Sequence, residues 1–129
     1  MKFYIPFALL ILFFGISCFQ KDSETLNPDE FEQLLNTSAN SVLVDVRTVE
    51  EFNAGHIENS INADYKSSDF INIINKWDKS KTYFVYCKSG VRSSNAVKKM
   101  HEIDFHNIHN LKGGIIAWEK AGKIITNKN

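Results

Sequence analysis

The chain has 129 residues, 43% of them apolar and 23% charged. That is the size and make-up of one folded domain with enough chain to bury a core, so neither a disulfide nor a metal staple is required. Fifteen basic residues balance fifteen acidic ones, which removes the electrostatic case for nucleic acid binding.

The first segment, "MKFYIPFALLILFFGISC", carries one lysine, an apolar run from Phe3 to Phe14 and small residues before Cys18. The run is shorter than the ~20 residues of a spanning helix and lacks a polar face, so it reads as a secretory signal. Gly15-Ile16-Ser17-Cys18 resembles the lipobox of bacterial lipoproteins, with Gly15 where an aliphatic residue is usual. That resemblance implies cleavage before Cys18 and lipidation of its thiol. Residues 1–17 then form a signal peptide of lipoprotein type, 18–25 a polar tether and 26–125 the folded domain. The protein is expected to be exported and anchored to a membrane through lipid, facing the periplasm or the cell exterior. The cysteines are Cys18 and Cys87. With Cys18 lipidated, Cys87 has no intramolecular partner, and a free thiol in an exported protein is a flag for reactivity.

Along the domain, "NPDEFEQLLN" opens a helix with Asn27 as cap, Pro28 in the first turn and Phe31, Leu34 and Leu35 as the apolar stripe. "SVLVDV" (41–46) is a buried strand. "TVEEF" begins a short helix, with Thr48 and Glu51 at capping-box spacing and Gly55 at its end. "SINAD" is a candidate short strand. "SSDFINIINKW" places Phe70, Ile73, Ile74 and Trp77 at helical spacing, and "DKSK" is a turn. "TYFVY" (82–86) is the most apolar β segment and belongs in the middle of the sheet. From Val91 to Ile103 the pattern is helical, with Val97 and Met100 inward. "HNIHNL" holds a last strand, and "KGGIIAWEKAGK" a Gly-Gly turn and a final helix. Strands alternate with helices, which implies an α/β fold: a mostly parallel sheet of about five strands covered on both faces.

In such sheets ligands bind beyond the carboxyl ends of strands, and Cys87 lies at such an end. Lys88-Ser89-Gly90-Val91-Arg92 must turn the chain from strand into helix. A turn of this kind can aim successive N–H groups inward as an anion nest, and the helix that follows adds its dipole. Both favour negative charge on the Cys87 sulfur, as do Lys88 and Arg92 if they face it. The plainer alternative is a buried, inert thiol.

The stretch from Cys87 to Arg92 resembles the six-residue active-site loop of the rhodanese-like domain. "VLVDVRTVEEFNAGHIENSINAD" (42–64) is similar to that family's Asp-x-Arg, Glu-Phe and Gly-His-Ile sequence, and "LKGGIIAW" (111–118) to its Gly-Gly-x-x-x-Trp ending. The resemblance implies a rhodanese-like fold and sulfur transfer. Cys87 would take sulfane sulfur from a donor such as thiosulfate, hold it as a persulfide against the amides of Lys88, Ser89, Gly90, Val91 and Arg92, and pass it to a thiol or cyanide. It implies no metal and no cofactor. The partners it implies are a small sulfur donor and a thiol acceptor, which can be that of a protein. A persulfide carrier without turnover and a redox protein using a lone thiol are the other readings. Cysteine phosphatases share the Cys, amide cradle and Arg, but want five residues between Cys and Arg where this loop has four.

Arg92 either contacts the substrate anion or holds the loop through an ion pair, and Lys88 either meets the donor or points to water. Asp45 and Arg47 are expected to be structural near the site, with Arg47–Glu51 a plausible pair. His56 reads as a packing histidine. His101, His106 and His109 read as surface residues without metal-ligand spacing, and Trp77 and Trp118 as core.

Overall fold

The computed structural model describes residues 23–127. The chain order is β1 (Ser23–Leu26), α1 (Pro28–Thr37), β2 (Ser41–Asp45), α2 (Val49–Ala54), β3 (Ile61–Asn62), α3 (Phe70–Ile74), β4 (Thr82–Tyr86), α4 (Val91–Glu102), β5 (Ile108–Leu111) and α5 (Gly114–Lys120). The strands form one sheet in the order β1-β5-β4-β2-β3, and every pairing in it is parallel. This is the α/β architecture expected, a parallel sheet of five strands with β4 at its centre. β4 is central because Tyr83, Phe84, Val85 and Tyr86 are all buried, so both of its faces need cover.

Alternation along the strands divides the interior in two. Val44, Val46, Tyr83, Val85, Cys87 and Ile108 face Phe70 and Ile74 of α3 and Ala96, Val97 and Met100 of α4. Leu43, Phe84, Tyr86 and Leu111 face Phe31 of α1 and Ile115 and Trp118 of α5. Phe31 sits edge-on to both Phe84 and Trp118, at 5.3 and 6.3 Å between ring centroids. Such large apolar side chains stabilise the fold by about 1.5–3 kcal/mol each when buried. Trp77 is only half-buried and stacks on Tyr83 at 5.7 Å.

Capping sets the starts of two helices. Asn27 Oδ1 accepts from Glu30 N–H at 2.9 Å, and Glu30 Oε2 accepts from Asn27 N–H at 3.3 Å. Thr48 and Glu51 repeat this reciprocal arrangement at α2.

Two expectations are corrected. Residues 23–25 do not end a tether: β1 pairs with β5, placing Ser23 opposite Ile108 and Leu26 opposite Leu111. Leu26 is the one apolar residue of "SETL", so an edge strand here carries no period-2 signal. The third helix is shorter than "SSDFINIINKW" suggested, and Ile73 on it is 40% exposed. Phe70 and Ile74, four apart, take the buried side, Ile71 packs at its margin, and Ile73 turns outward. The signal, Cys18 and the rest of the tether lie outside the described residues. Among the described residues no helix is long and apolar enough to cross a membrane.

Candidate active site

β4 carries Cys87 to the carboxyl end of the sheet, where the backbone must leave the ladder. The loop is held by the amino end of α5. Ile115 N–H donates to the Cys87 carbonyl at 2.9 Å, and Ile116 N–H donates to the Lys88 carbonyl at 3.2 Å. So close an approach requires glycine at 114. A Cβ there would lie 2.5 Å from the Cys87 carbonyl oxygen and closer still to that of Lys88, at a φ of +61°. The Gly-Gly turn after β5 thus serves the Cys87 loop, not only its own helix.

Gly90 is the second fixed point. Its φ of +106° turns the chain into α4 and aims its N–H back at Cys87, 3.1 Å from Sγ. Ser93, in the first turn of α4, brings Oγ to 3.3 Å from the same sulfur and 3.2 Å from the Gly90 carbonyl. Cys87 and Ser93 are both buried, at 1% and 0% exposure. The residues between differ: Lys88 and Ser89 are exposed, and Val91 is 67% exposed. The sulfur therefore sits beneath a narrow backbone arch, with an amide and a hydroxyl as its polar neighbours.

Arg92 does not reach for the sulfur. Its Nη1 and Nη2 donate to Glu51 Oε1 and Oε2 at 2.7 and 3.0 Å, a bidentate pair joining α4 to α2. These bonds, ahead of the opposing cost of burial, hold the Glu51 carboxyl down at about 2, and Glu51 in turn raises Arg92. The expected Arg47–Glu51 pair is therefore not formed. Arg47 instead forks onto Asp45, with Nε 3.0 Å and Nη2 2.7 Å from Oδ2, and gives Nη2 to the Gly55 carbonyl at 2.6 Å. Asp45 is fully buried and lies two residues back on the strand end, so it needs a local cation, while Glu51 at the start of α2 faces across to α4. Asn62 Nδ2 closes the corner by donating to the carbonyls of Asp45 and Arg47 at 3.0 and 2.9 Å. Asp45 and Arg47 thus brace the β2–α2 turn beside the site.

Tyr86, the residue before Cys87, is pinned from the other face. Its hydroxyl accepts from Ile57 N–H at 3.0 Å and meets Ser60 Oγ at 2.9 Å, while Ser60 donates to the Ile57 carbonyl at 2.7 Å. With the Ser60 proton so committed, Tyr86 is the donor to Ser60. Burial pushes the Tyr86 hydroxyl well above the usual tyrosine range.

The histidines lie apart from this chemistry. His56 stacks on Phe52 at 3.9 Å, with Nδ1 2.9 Å from the Phe52 carbonyl. His101 Nδ1 lies 2.9 Å from the Phe105 carbonyl, and His106 is exposed. His109 is half-buried rather than free on the surface. It lies against Phe84 with Nδ1 buried and unpartnered, and burial lowers its pKa. β5 is covered by β1, the strand its sequence hid. Among the described residues no three His, Cys, Asp or Glu side chains gather as a metal site. A groove of about 790 Å³ bounded by Leu35, Leu43, Trp118 and Lys123 opens where β2 begins at Ser41, away from the Cys87 loop.

Sequence reasoning missed Ser93, the Glu51–Arg92 pair and the reach of Gly114. Ser93 left one usable signal: helical side chains lean toward the amino end, so a hydroxyl in the first turn after the loop points back into it.

Known proteins carry the same pattern. The family description "Rhodanese-like domain" matches residues 27–121. Thiosulfate sulfurtransferase GlpE of Shewanella oneidensis is 34% identical over 86 residues, covering 66% of this chain and 83% of that protein. The tRNA uridine(34) hydroxylase of Pelagibacter ubique is 28% identical over 107 residues, covering 82% of this chain but only 35% of its own length. The crystal structure of a rhodanese-related protein from Thermoplasma volcanium superposes with a TM-score of 0.70 at 27% identity, covering 80% of this chain and 97% of that one. By its motifs, its fold and these matches, the chain belongs to the rhodanese-like family.

Proposed function

We propose that the protein is a sulfurtransferase in which Cys87 carries sulfane sulfur between a donor such as thiosulfate and a thiol or cyanide acceptor. The observation that carries this reading is the Cys87 sulfur under the loop, 3.1 Å from the Gly90 amide, with its own carbonyl tied to α5. The Cys87 thiolate attacks the outer sulfur of thiosulfate. A sulfur–sulfur bond forms to Cys87, the donor's sulfur–sulfur bond breaks, and its electron pair leaves with sulfite. The persulfide keeps one negative charge on its terminal sulfur. Cyanide or an acceptor thiolate then attacks that sulfur, and the electron pair of the breaking bond returns to Cys87. No external oxidant or reductant is needed, and the two steps split one transfer into two displacements.

Gly90 supplies a hydrogen bond to the sulfur, and a donor fixed before reaction costs no reorganisation during it. Lys88, exposed and next to Cys87 in the chain, offers a charge that an approaching anionic donor would meet. Arg92 holds the loop to α2 through Glu51.

The test is intact mass after incubation with thiosulfate. Wild-type protein should gain the mass of one sulfur atom and lose it on adding cyanide, with thiocyanate appearing in stoichiometric amount. Cys87→Ser should gain nothing. A mixed disulfide or sulfenic acid in place of the persulfide would favour a redox thiol, and a persulfide that no small acceptor discharges would favour a carrier. The same proposal extends to the amino terminus on sequence grounds: a lipid on Cys18 would hold the domain at a membrane outside the cytoplasm. Mass spectrometry of protein taken from its native membrane would test it.

A further inference from the structure

We infer that Ser93 is a catalytic residue of the sulfur cycle, a hydroxyl rotor that donates to the Cys87 sulfur when that sulfur is the leaving group. This inference rests on the sulfur-transfer reading above. Its basis is the position of one buried oxygen between two acceptors. Ser93 Oγ lies 3.3 Å from Cys87 Sγ and 3.2 Å from the Gly90 carbonyl oxygen. A serine hydroxyl has one proton, so it serves one of these at a time.

The two assignments match the two forms of the sulfur. While Cys87 is a thiol, its S–H gives a hydrogen bond to Ser93 Oγ and Ser93 gives its own to the Gly90 carbonyl. When the sulfur is an anion it can only accept. The Ser93 hydroxyl then turns to Sγ, and the sulfur has two donors, that hydroxyl and the Gly90 N–H at 3.1 Å. No heavy atom has to move.

The turn leaves nothing stranded. The Gly90 carbonyl also accepts from Ser94 N–H at 3.1 Å, the first bond of α4, so it keeps a partner when the hydroxyl departs. Leaving a buried polar atom unpaired is what makes such rearrangements costly, and that cost is absent here. Ser93 is itself fully buried, so water does not stand in for its hydroxyl.

The consequence is unequal between the two half-reactions. In discharge the acceptor attacks the terminal sulfur, the sulfur–sulfur bond breaks, and the electron pair arrives on Cys87 Sγ. A hydrogen bond to Sγ strengthens as that charge develops and so accelerates the step. In uptake the same bond holds the attacking sulfur in its ground state, so removing it does not slow the attack.

The test uses the full chain with thiosulfate as donor and cyanide as acceptor, following the two half-reactions separately by intact mass. Ser93→Ala should take up sulfur within about threefold of the wild-type rate but discharge about tenfold more slowly, the worth of one hydrogen bond to a charged atom. Its persulfide form should therefore accumulate during turnover. Ser93→Thr, which keeps the hydroxyl, should restore discharge. Equal slowing of both halves, or unchanged discharge, overturns the role. So does a Ser93→Ala protein that unfolds or takes up no sulfur, since the hydroxyl would then serve the fold. A wild-type protein that never gains sulfur is a different result, and removes the sulfur-transfer reading itself.

Discussion

Arg92 and Glu51 form a two-bond ion pair, 2.7 and 3.0 Å, that ties the end of the Cys87 loop to the first turn of α2. Glu51 has a second duty there, since its Oε1 also accepts from Thr48 N–H and Thr48 Oγ1 at 3.4 and 3.2 Å. One carboxylate thus caps one helix and fixes the start of another. Glu51→Ala and Arg92→Ala should each weaken the fold, with the double variant less unstable than the sum of the two. Urea unfolding of the four proteins should give a coupling of about 1 kcal/mol, as for a part-exposed bidentate pair. Additive losses would mean that the pair contributes nothing to the fold.

The same pair makes acid stability depend on Glu51. Its carboxyl is held at about 2 against an ordinary 4.5, first by the hydrogen bonds from Arg92. A folded-state pKa below the unfolded one stabilises fully above the unfolded value. That contribution fades as pH falls from 4.5 and is lost on passing through about 2. The side chain is 30% exposed, so solvent screens much of the effect and about 1 kcal/mol is the expected size. Melting temperature measured from pH 5 to pH 2 should therefore fall less steeply for Glu51→Gln than for wild type. Parallel curves would contradict the assignment.

Gly114 and Gly122 make a matched test of why the Gly-Gly turn is where it is. Both have positive φ, +61° and +76°, but a Cβ at 114 meets the Cys87 and Lys88 carbonyls while one at 122 meets nothing within 4 Å. Gly122→Ala should cost about 1–2 kcal/mol, the left-handed penalty alone. Gly114→Ala should cost that plus about 1–3 kcal/mol for the clash, and should lose sulfur uptake because the loop has to move. Retained uptake in Gly114→Ala would show that the loop tolerates displacement from α5.

Much of this was legible in the sequence, for physical reasons that differ by element. The apolar run 83–86 of β4 marked the centre of the sheet, and the Asn27 and Thr48 caps marked two helix starts. Cys87 and Gly90 were legible because the loop is local: residues three apart had to meet. What escaped was pairing at a distance. Glu51 and Arg92 are 41 residues apart, and nothing in either segment names the other. Arg47 had three carboxylates within four residues, Asp45, Glu50 and Glu51, and only burial of Asp45 decides among them. β1 escaped because an edge strand of "SETL" needs only Leu26 inside.

Asp45 and Arg47 provide the sharpest separation of scaffold from chemistry. They touch each other, the Gly55 carbonyl, Asn62 and Tyr86, over whose ring the Arg47 guanidinium lies at 5.9 Å, and both are buried, at 0% and 6% exposure. Neither has a bond to the Cys87 loop in the hydrogen-bond pattern that joins them. Removing one partner strands a buried charge, so Asp45→Ala or Arg47→Ala should cost about 3–5 kcal/mol. Replacing both at once, as Asp45→Leu with Arg47→Met, leaves no charge behind and should cost less than either single change. At a temperature where each protein is still folded, sulfur uptake per molecule should match wild type. A folded Arg47→Ala protein that fails to take up sulfur would move this arginine from the frame of the β2–α2 turn into the chemistry at Cys87.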